Sequence, residues 1–142
     1  MAAHSPNRLS HIDDRGKAAM VNVADKPITA RSAVAEGFVR INSVLESAIR
    51  ANSLAKGDLL QVARLAGTLA AKRTDELIPL CHSLPLDSIE VEAALEAGRV
   101  RLTARVHAHG RTGIEMEALT AIAIAALTVI DSAFGVVAAA IG

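Results

Sequence analysis

The chain has 142 residues and carries 15 basic and 15 acidic side chains, so its formal net charge is zero. That length suits one domain with a real core, and the charge balance argues against a general nucleic-acid binder, which shows a basic excess. Apolar residues make up 51% but aromatics only 1%, which excludes a disordered chain and predicts a core of Ala, Val, Leu and Ile, with close backbone approach and apolar faces that finish their burial by self-association.

Residues 1–19 are polar and read as a mobile N-terminal segment, with one domain over 20–142. No apolar run stands at the start, and the single cysteine excludes an intrachain disulfide framework; both suit a cytoplasmic protein. Met20-Val21-Asn22-Val23 gives a short strand signal, and Ala24-Asp25-Lys26-Pro27 a turn. Residues 29–42 read as a strand rich in β-formers, with Gly37 suggesting a bulge. Ser43 followed by Glu46 reads as a capping box opening a helix over 44–50.

Asp58 caps the next helix, which runs to about residue 74 and carries an apolar stripe of Leu59, Val62, Leu65, Ala66 and Leu69. Residues 77–86 form a loop holding Pro79 and Pro85. Ile89, Val91 and Ala93 alternate with Glu90 and Glu92, a half-buried strand. Glu96-Ala97-Gly98 turns into a partner strand, where Val100, Leu102, Ala104 and Val106 alternate with Arg99, Arg101 and Arg105. Residues 115–131 form a long apolar helix. It could mimic a membrane span, but Glu115, Glu117 and Asp131 bracket it, and a buried helix of a soluble protein, with no membrane contact, is the better reading. Antiparallel hairpins with helices on one face predict an α+β sandwich.

Several side chains admit both a functional and a plain structural reading. Lys56 precedes Gly57-Asp58 at a helix start, which suits phosphate binding or a solvated linker. Lys72 and Arg73 end a helix, as a phosphate clamp or as complements to the helix dipole. Arg31 is a bidentate phosphate ligand or a surface strand arginine. His82, in a loop with two prolines, is a proton carrier or a packed loop histidine. Cys81 beside it reads as a structural thiol, since nothing nearby marks it as activated. His107 and His109 share a strand face, but no third ligand accompanies them, and no metal site is expected. Glu115 and Glu117 are favourable carboxylates of a first helical turn or cleft acids; two residues apart, they cannot face the same way in a helix.

Lys72-Arg73-Thr74, then Leu77-Ile78-Pro79-Leu80-Cys81-His82, then Gly113-Ile114-Glu115-Met116-Glu117-Ala118-Leu119-Thr120, at this spacing, resemble the cyclic pyranopterin monophosphate synthase family of molybdenum cofactor biosynthesis. The resemblance covers residues 11–131. It implies a ferredoxin-like antiparallel sheet with helices packed on one face, assembled as a homohexamer built as a trimer of dimers. It also implies a lyase that rearranges a cyclised GTP derivative (3′,8-cyclo-7,8-dihydro-GTP) into cyclic pyranopterin monophosphate and releases pyrophosphate, with no cofactor. Carried over residue by residue, Lys56, His82, Glu117 and Asp131 would be catalytic. Leu80, Cys81, His82, Met116 and Glu117, with Lys72, Arg31 and Glu115, would bind substrate. In a continuous helix Asp131 lies roughly 21 Å from Glu117, so the two would share a substrate only in a pocket built from two subunits.

The resemblance breaks after Asp131. Phe134 stands where the family carries a catalytic lysine, and an uncharged apolar tail replaces a Lys/Gly/Ser-rich segment. Asn22 and Ser83 replace an aspartate and a proline usual at those places. Two expectations follow: an altered or truncated form of an ordinary synthase, or a diverged paralogue serving as a nucleotide-binding or structural subunit.

Overall fold

In chain order the elements are β1 (Thr29–Arg40), α1 (Ser43–Arg50), α2 (Leu59–Lys72), α3 (Thr74–Leu77), β2 (Leu86–Glu96), β3 (Arg99–Gly110) and α4 (Glu115–Ile141). The structure, a computed structural model, describes residues 11–52, 54 and 58–141, with side chains of the last helix described as far as Phe134. Lys56, expected to be catalytic, lies outside the described residues, as do residues 1–10 of the N-terminal segment.

β3 is the middle strand of an antiparallel sheet ordered β1-β3-β2. Its alternation sets the two faces. Val100, Leu102, Ala104, Val106 and Ala108 point inward and are fully buried, beneath α4, while α2 packs on β2. Arg99, Arg101 and Arg105 point outward and pair with Glu96, Glu36 and Glu92 of the flanking strands. The architecture is therefore α+β, with helices packed on one face of the sheet, as the alternation predicts. Among the described residues the sheet has three strands, one fewer than a complete ferredoxin-like sheet. The residues after Asp131 continue α4 instead of returning as a strand. The helix thus overruns its expected end, because no proline or capping group interrupts the Ala/Val-rich run.

The small-residue core allows close backbone contact. A Cβ on Gly37 would lie 2.7 Å from Cγ2 of Ile122, and one on Gly67 3.0 Å from the Ala121 carbonyl oxygen. The expected bulge at Gly37 does not occur: β1 and β3 pair in continuous register through it. Its glycine makes room for α4. The one irregularity of the sheet register lies between Leu86 and Ser88.

The same packing turns the expected face of α2: Leu59 of the expected stripe is buried, but Val62, Leu65 and Leu69 are not. The helix buries Leu59 at its start and then Ala63, Gly67, Ala70 and Ala71, residues small enough to let α4 approach. Val62, Leu65 and Leu69 are exposed, Leu65 at 61%. Size complementarity at the α2–α4 crossing outweighs the hydrophobicity of the leucine stripe. On α4 the counterpart is a seam of Ala118, Ala121, Ala125, Val129 and Ala133, all buried, while Leu119, Leu127, Ile130 and Phe134 remain exposed. Residues Glu115–Phe134 are long and apolar enough to cross a membrane by length and composition, and they pack along α2 and the sheet through this seam.

Two smaller expectations are corrected. Asn42, not Ser43, caps α1: its side chain accepts from Leu45 N at 2.8 Å. Glu46, released from a capping box, instead accepts from Gly98 N at 3.3 Å across the hairpin turn. Met20-Val21-Asn22-Val23 forms no strand. The Val21 carbonyl is taken by a side chain, described below, and Asn22 folds back on Ala24 N.

Candidate active site

Three segments meet at the mouth of α4. The turn His109-Gly110-Arg111-Thr112-Gly113 leaves β3 and delivers Glu115 and Met116 at the start of the helix. The loop after α3 brings Leu80, Cys81 and His82 against them. The N-terminal segment lies across both. Its Asp13 side chain accepts from Arg15 N and Lys17 N, both at 2.9 Å, and Ile12 bridges Ala18. Between these segments is a cleft of about 830 Å³, within the usual range for a small-molecule site.

The cleft wall is formed by Ile78, Pro79, Leu80, Cys81 and His82 on one side and by Thr112, Gly113, Glu115 and Met116 on the other. His11, Ala18, Val21, Val23 and Lys26 close it from the N-terminal segment. His82 ties the layers together: its Nε2 lies 2.6 Å from the Val21 carbonyl oxygen. A carbonyl only accepts, so Nε2 carries the proton and Nδ1 is the position open to acid–base exchange. The Glu115 carboxylate folds back into the space beside Gly113 that a Cβ there would take.

The two acids face different ways, as their spacing requires. Glu115 is exposed in the cleft, whereas Glu117 is buried at 4% exposure. Glu117 sits behind the cleft wall, with Oε1 at 3.9 Å from the Cys81 Sγ. Oε2 is buried and has no hydrogen-bond partner in the structure. Burial pushes the Glu117 carboxyl above the ordinary carboxylate range; hydrogen bonds from its own backbone and from the Cys81 thiol oppose it in part, and the negative charges of Glu115 and Asp75 add a smaller upward push. Burial also raises Cys81, reinforced by the charges of Glu117 and Asp75. The thiol is therefore a poor nucleophile here.

Of the residues expected to form the site, the structure brings Leu80, Cys81, His82, Glu115 and Met116 together in the cleft and places Glu117 directly behind it. Arg31 stands at its edge, donating from Nε to Gly110 O at 3.4 Å and from Nη2 to Arg111 O at 3.3 Å. It clamps the turn that presents Glu115. Lys72, exposed at the end of α2, is not a wall residue. Asp131 lies about 21 Å along the helix axis from Glu117, at about 1.5 Å per residue, and does not converge on this cleft. Sequence reasoning missed Lys26, which lines the cleft. The only signal was its place before Pro27, where a rigid turn can aim a side chain inward. His109 pairs with Asp87 at 2.7 Å on the outer sheet surface, and no group of three or more metal-ligating side chains occurs among the described residues.

An α+β sheet whose helix mouth holds an imidazole, a lysine and carboxyl groups around an apolar cleft defines a domain built for acid–base work on a small molecule. The chain belongs to the MoaC family, whose sequence pattern matches residues 20–138. It is 54% identical to a cyclic pyranopterin monophosphate synthase from Thermomicrobium roseum over 125 residues, covering 87% of this chain and 75% of that protein. A synthase of the same name from Streptomyces griseus is 50% identical over 88% of this chain and 71% of its own length. Molybdenum cofactor biosynthesis protein 1 from Drosophila melanogaster is 50% identical over 92% of this chain, which spans 24% of that longer protein.

Proposed function

We propose that the protein is a cyclic pyranopterin monophosphate synthase, converting 3′,8-cyclo-7,8-dihydro-GTP to cyclic pyranopterin monophosphate with release of pyrophosphate, in the cytoplasm. The observation that carries this reading is the convergence of Leu80-Cys81-His82 with Glu115-Met116 on one cleft, the two stretches that resemble the family most closely. The apolar wall of Ile78, Pro79, Leu80 and Met116 suits a flat heterocycle, and Lys26 supplies positive charge for phosphate. His82 exchanges protons at Nδ1 while Nε2 stays fixed on the main chain. Glu117, its carboxyl raised above the ordinary range by burial, serves as the acid–base group behind the heterocycle.

Lys72, Arg31, Lys56 and Asp131 complete the phosphate and acid–base set in this reading. Asp131 joins from a neighbouring copy, which its distance along α4 requires, within a homohexamer built as a trimer of dimers. The uncovered apolar faces of α2 and α4 support such an assembly.

Phe134 favours a second reading. It is 69% exposed, stands where the family resemblance calls for a catalytic lysine, and can act neither as acid nor as cation. In that reading the chain binds the nucleotide derivative without turning it over. Calorimetric titration with the cyclised GTP derivative tests what the readings share: both expect saturable binding, weakened in a Met116→Asp variant. Absence of binding would exclude both.

A further inference from the structure

Cys81 is the side chain that joins the buried acid to the cleft. It lines the cavity, and its Sγ lies 3.9 Å from Glu117 Oε1 and 3.7 Å from the carbonyl oxygen of His82. The charged groups acting on Glu117 are Glu115 on its own helix and Asp75 on α3, both acidic. Among the described residues no cation answers the carboxyl, and its Oε2 is buried without a partner. A buried acceptor left unsatisfied costs about 1–3 kcal/mol, so the one side-chain donor among these residues that does reach the carboxyl, the Cys81 thiol, bears on how it is held.

We propose that Cys81 is a positioning residue for Glu117: its thiol donates to Oε1 and fixes the orientation of the buried carboxyl behind the cleft wall. The inference rests on the reading of the cleft as the synthase site. It gives Cys81 a task other than nucleophilic attack, consistent with a thiol held in its protonated form. It also explains why a weak donor suffices: the thiol stabilises the carboxylate only slightly, and burial, the larger effect, holds the carboxyl above the ordinary range.

The test has two arms. In the first, the pH dependence of kcat/KM is compared among wild type, Cys81→Ala and Cys81→Ser. Loss of the donor moves the limb belonging to Glu117 to higher pH in Cys81→Ala, and the serine hydroxyl returns it to the wild-type position or below. A fall in activity equal at every pH, with the limb unmoved, would reduce Cys81 to packing and overturn the proposal. The second arm needs no turnover. Cys81 is the single cysteine of the chain, so its alkylation by iodoacetamide reads one thiol. Glu117→Gln removes the neighbouring charge and speeds alkylation at fixed pH by about threefold or more, through a larger thiolate fraction. Equal rates in the two proteins would overturn the pairing. A wild-type chain with no turnover counts against the synthase reading itself, and the alkylation rates still decide for or against the Cys81–Glu117 pair.

Discussion

The imidazole of His82 is bonded to the main chain of Val21, Nε2 to carbonyl oxygen at 2.6 Å. This one contact fixes the tautomer of the ring and fastens the N-terminal segment over the cleft. His82→Ala therefore removes both the proton carrier and the anchor. We expect kcat/KM to fall by about 10²–10⁴-fold and amide exchange to quicken through residues 18–26. His82→Gln, whose side-chain amide can still donate to Val21 O, should restore much of the protection and none of the acid–base activity. Unchanged exchange in His82→Ala would show that the segment is held by other contacts.

Glu117 makes stability depend on pH with a definite sign. Its folded-state affinity for a proton is raised, chiefly by burial, so the folded state binds the proton more tightly than the unfolded chain. The stabilisation is fully present below the ordinary carboxylate value of 4.5 and is lost as pH rises through the raised folded value. Thermal melts from acid to neutral pH should show wild type losing stability over that window. Glu117→Gln should lack this component and gain relative to wild type at neutral pH, on the order of 1 kcal/mol. Parallel pH profiles for the two proteins would contradict a carboxyl raised by burial.

Gly37 and Ile122 test the packing that positions α4. Gly37→Ala places a methyl 2.7 Å from Ile122 Cγ2, and should cost about 1–3 kcal/mol through overpacking. Removing that methyl in Ile122→Ala should largely relieve the penalty in the double variant, a coupling measurable by denaturant unfolding. Additive losses would show that the clash is relieved elsewhere.

The leucine stripe of α2 bears on assembly. Leu65 and Leu69 are exposed in the single chain, so Leu65→Glu with Leu69→Glu should leave the unfolding of one subunit little changed. If this face is covered in the proposed hexamer, the double variant sediments as a smaller species at the same concentration. An unchanged sedimentation coefficient would place the interface on another surface.

The sheet was legible in the sequence because strands of strict alternation can bury only one face: Val100, Leu102, Ala104 and Val106 went inward as their period demands. The capping of α2 by Asp58 was equally plain. α2 was misread because periodicity ranks side chains by hydrophobicity, whereas the partner helix selects by size, and Gly67 admits Ala121 where a leucine could not. The cleft was half legible. Cys81-His82 and Glu115-Met116 were found from their motifs, but Lys26 reaches the cleft only through the path of a segment with no regular structure. That Glu117 lies behind Cys81 depends on the rotation of α4, which the spacing of two acids constrains without fixing.

The most direct test of the synthase reading is a single-turnover experiment with the cyclised GTP derivative, following pyrophosphate and cyclic pyranopterin monophosphate by mass spectrometry in wild type and in Phe134→Lys. Phe134 is exposed, so the lysine should cost within about 0.5 kcal/mol of stability and report on chemistry alone. The synthase reading predicts equal amounts of the two products from wild type, formed faster in Phe134→Lys. Saturable binding with neither product from either protein would contradict it and leave a nucleotide-binding subunit.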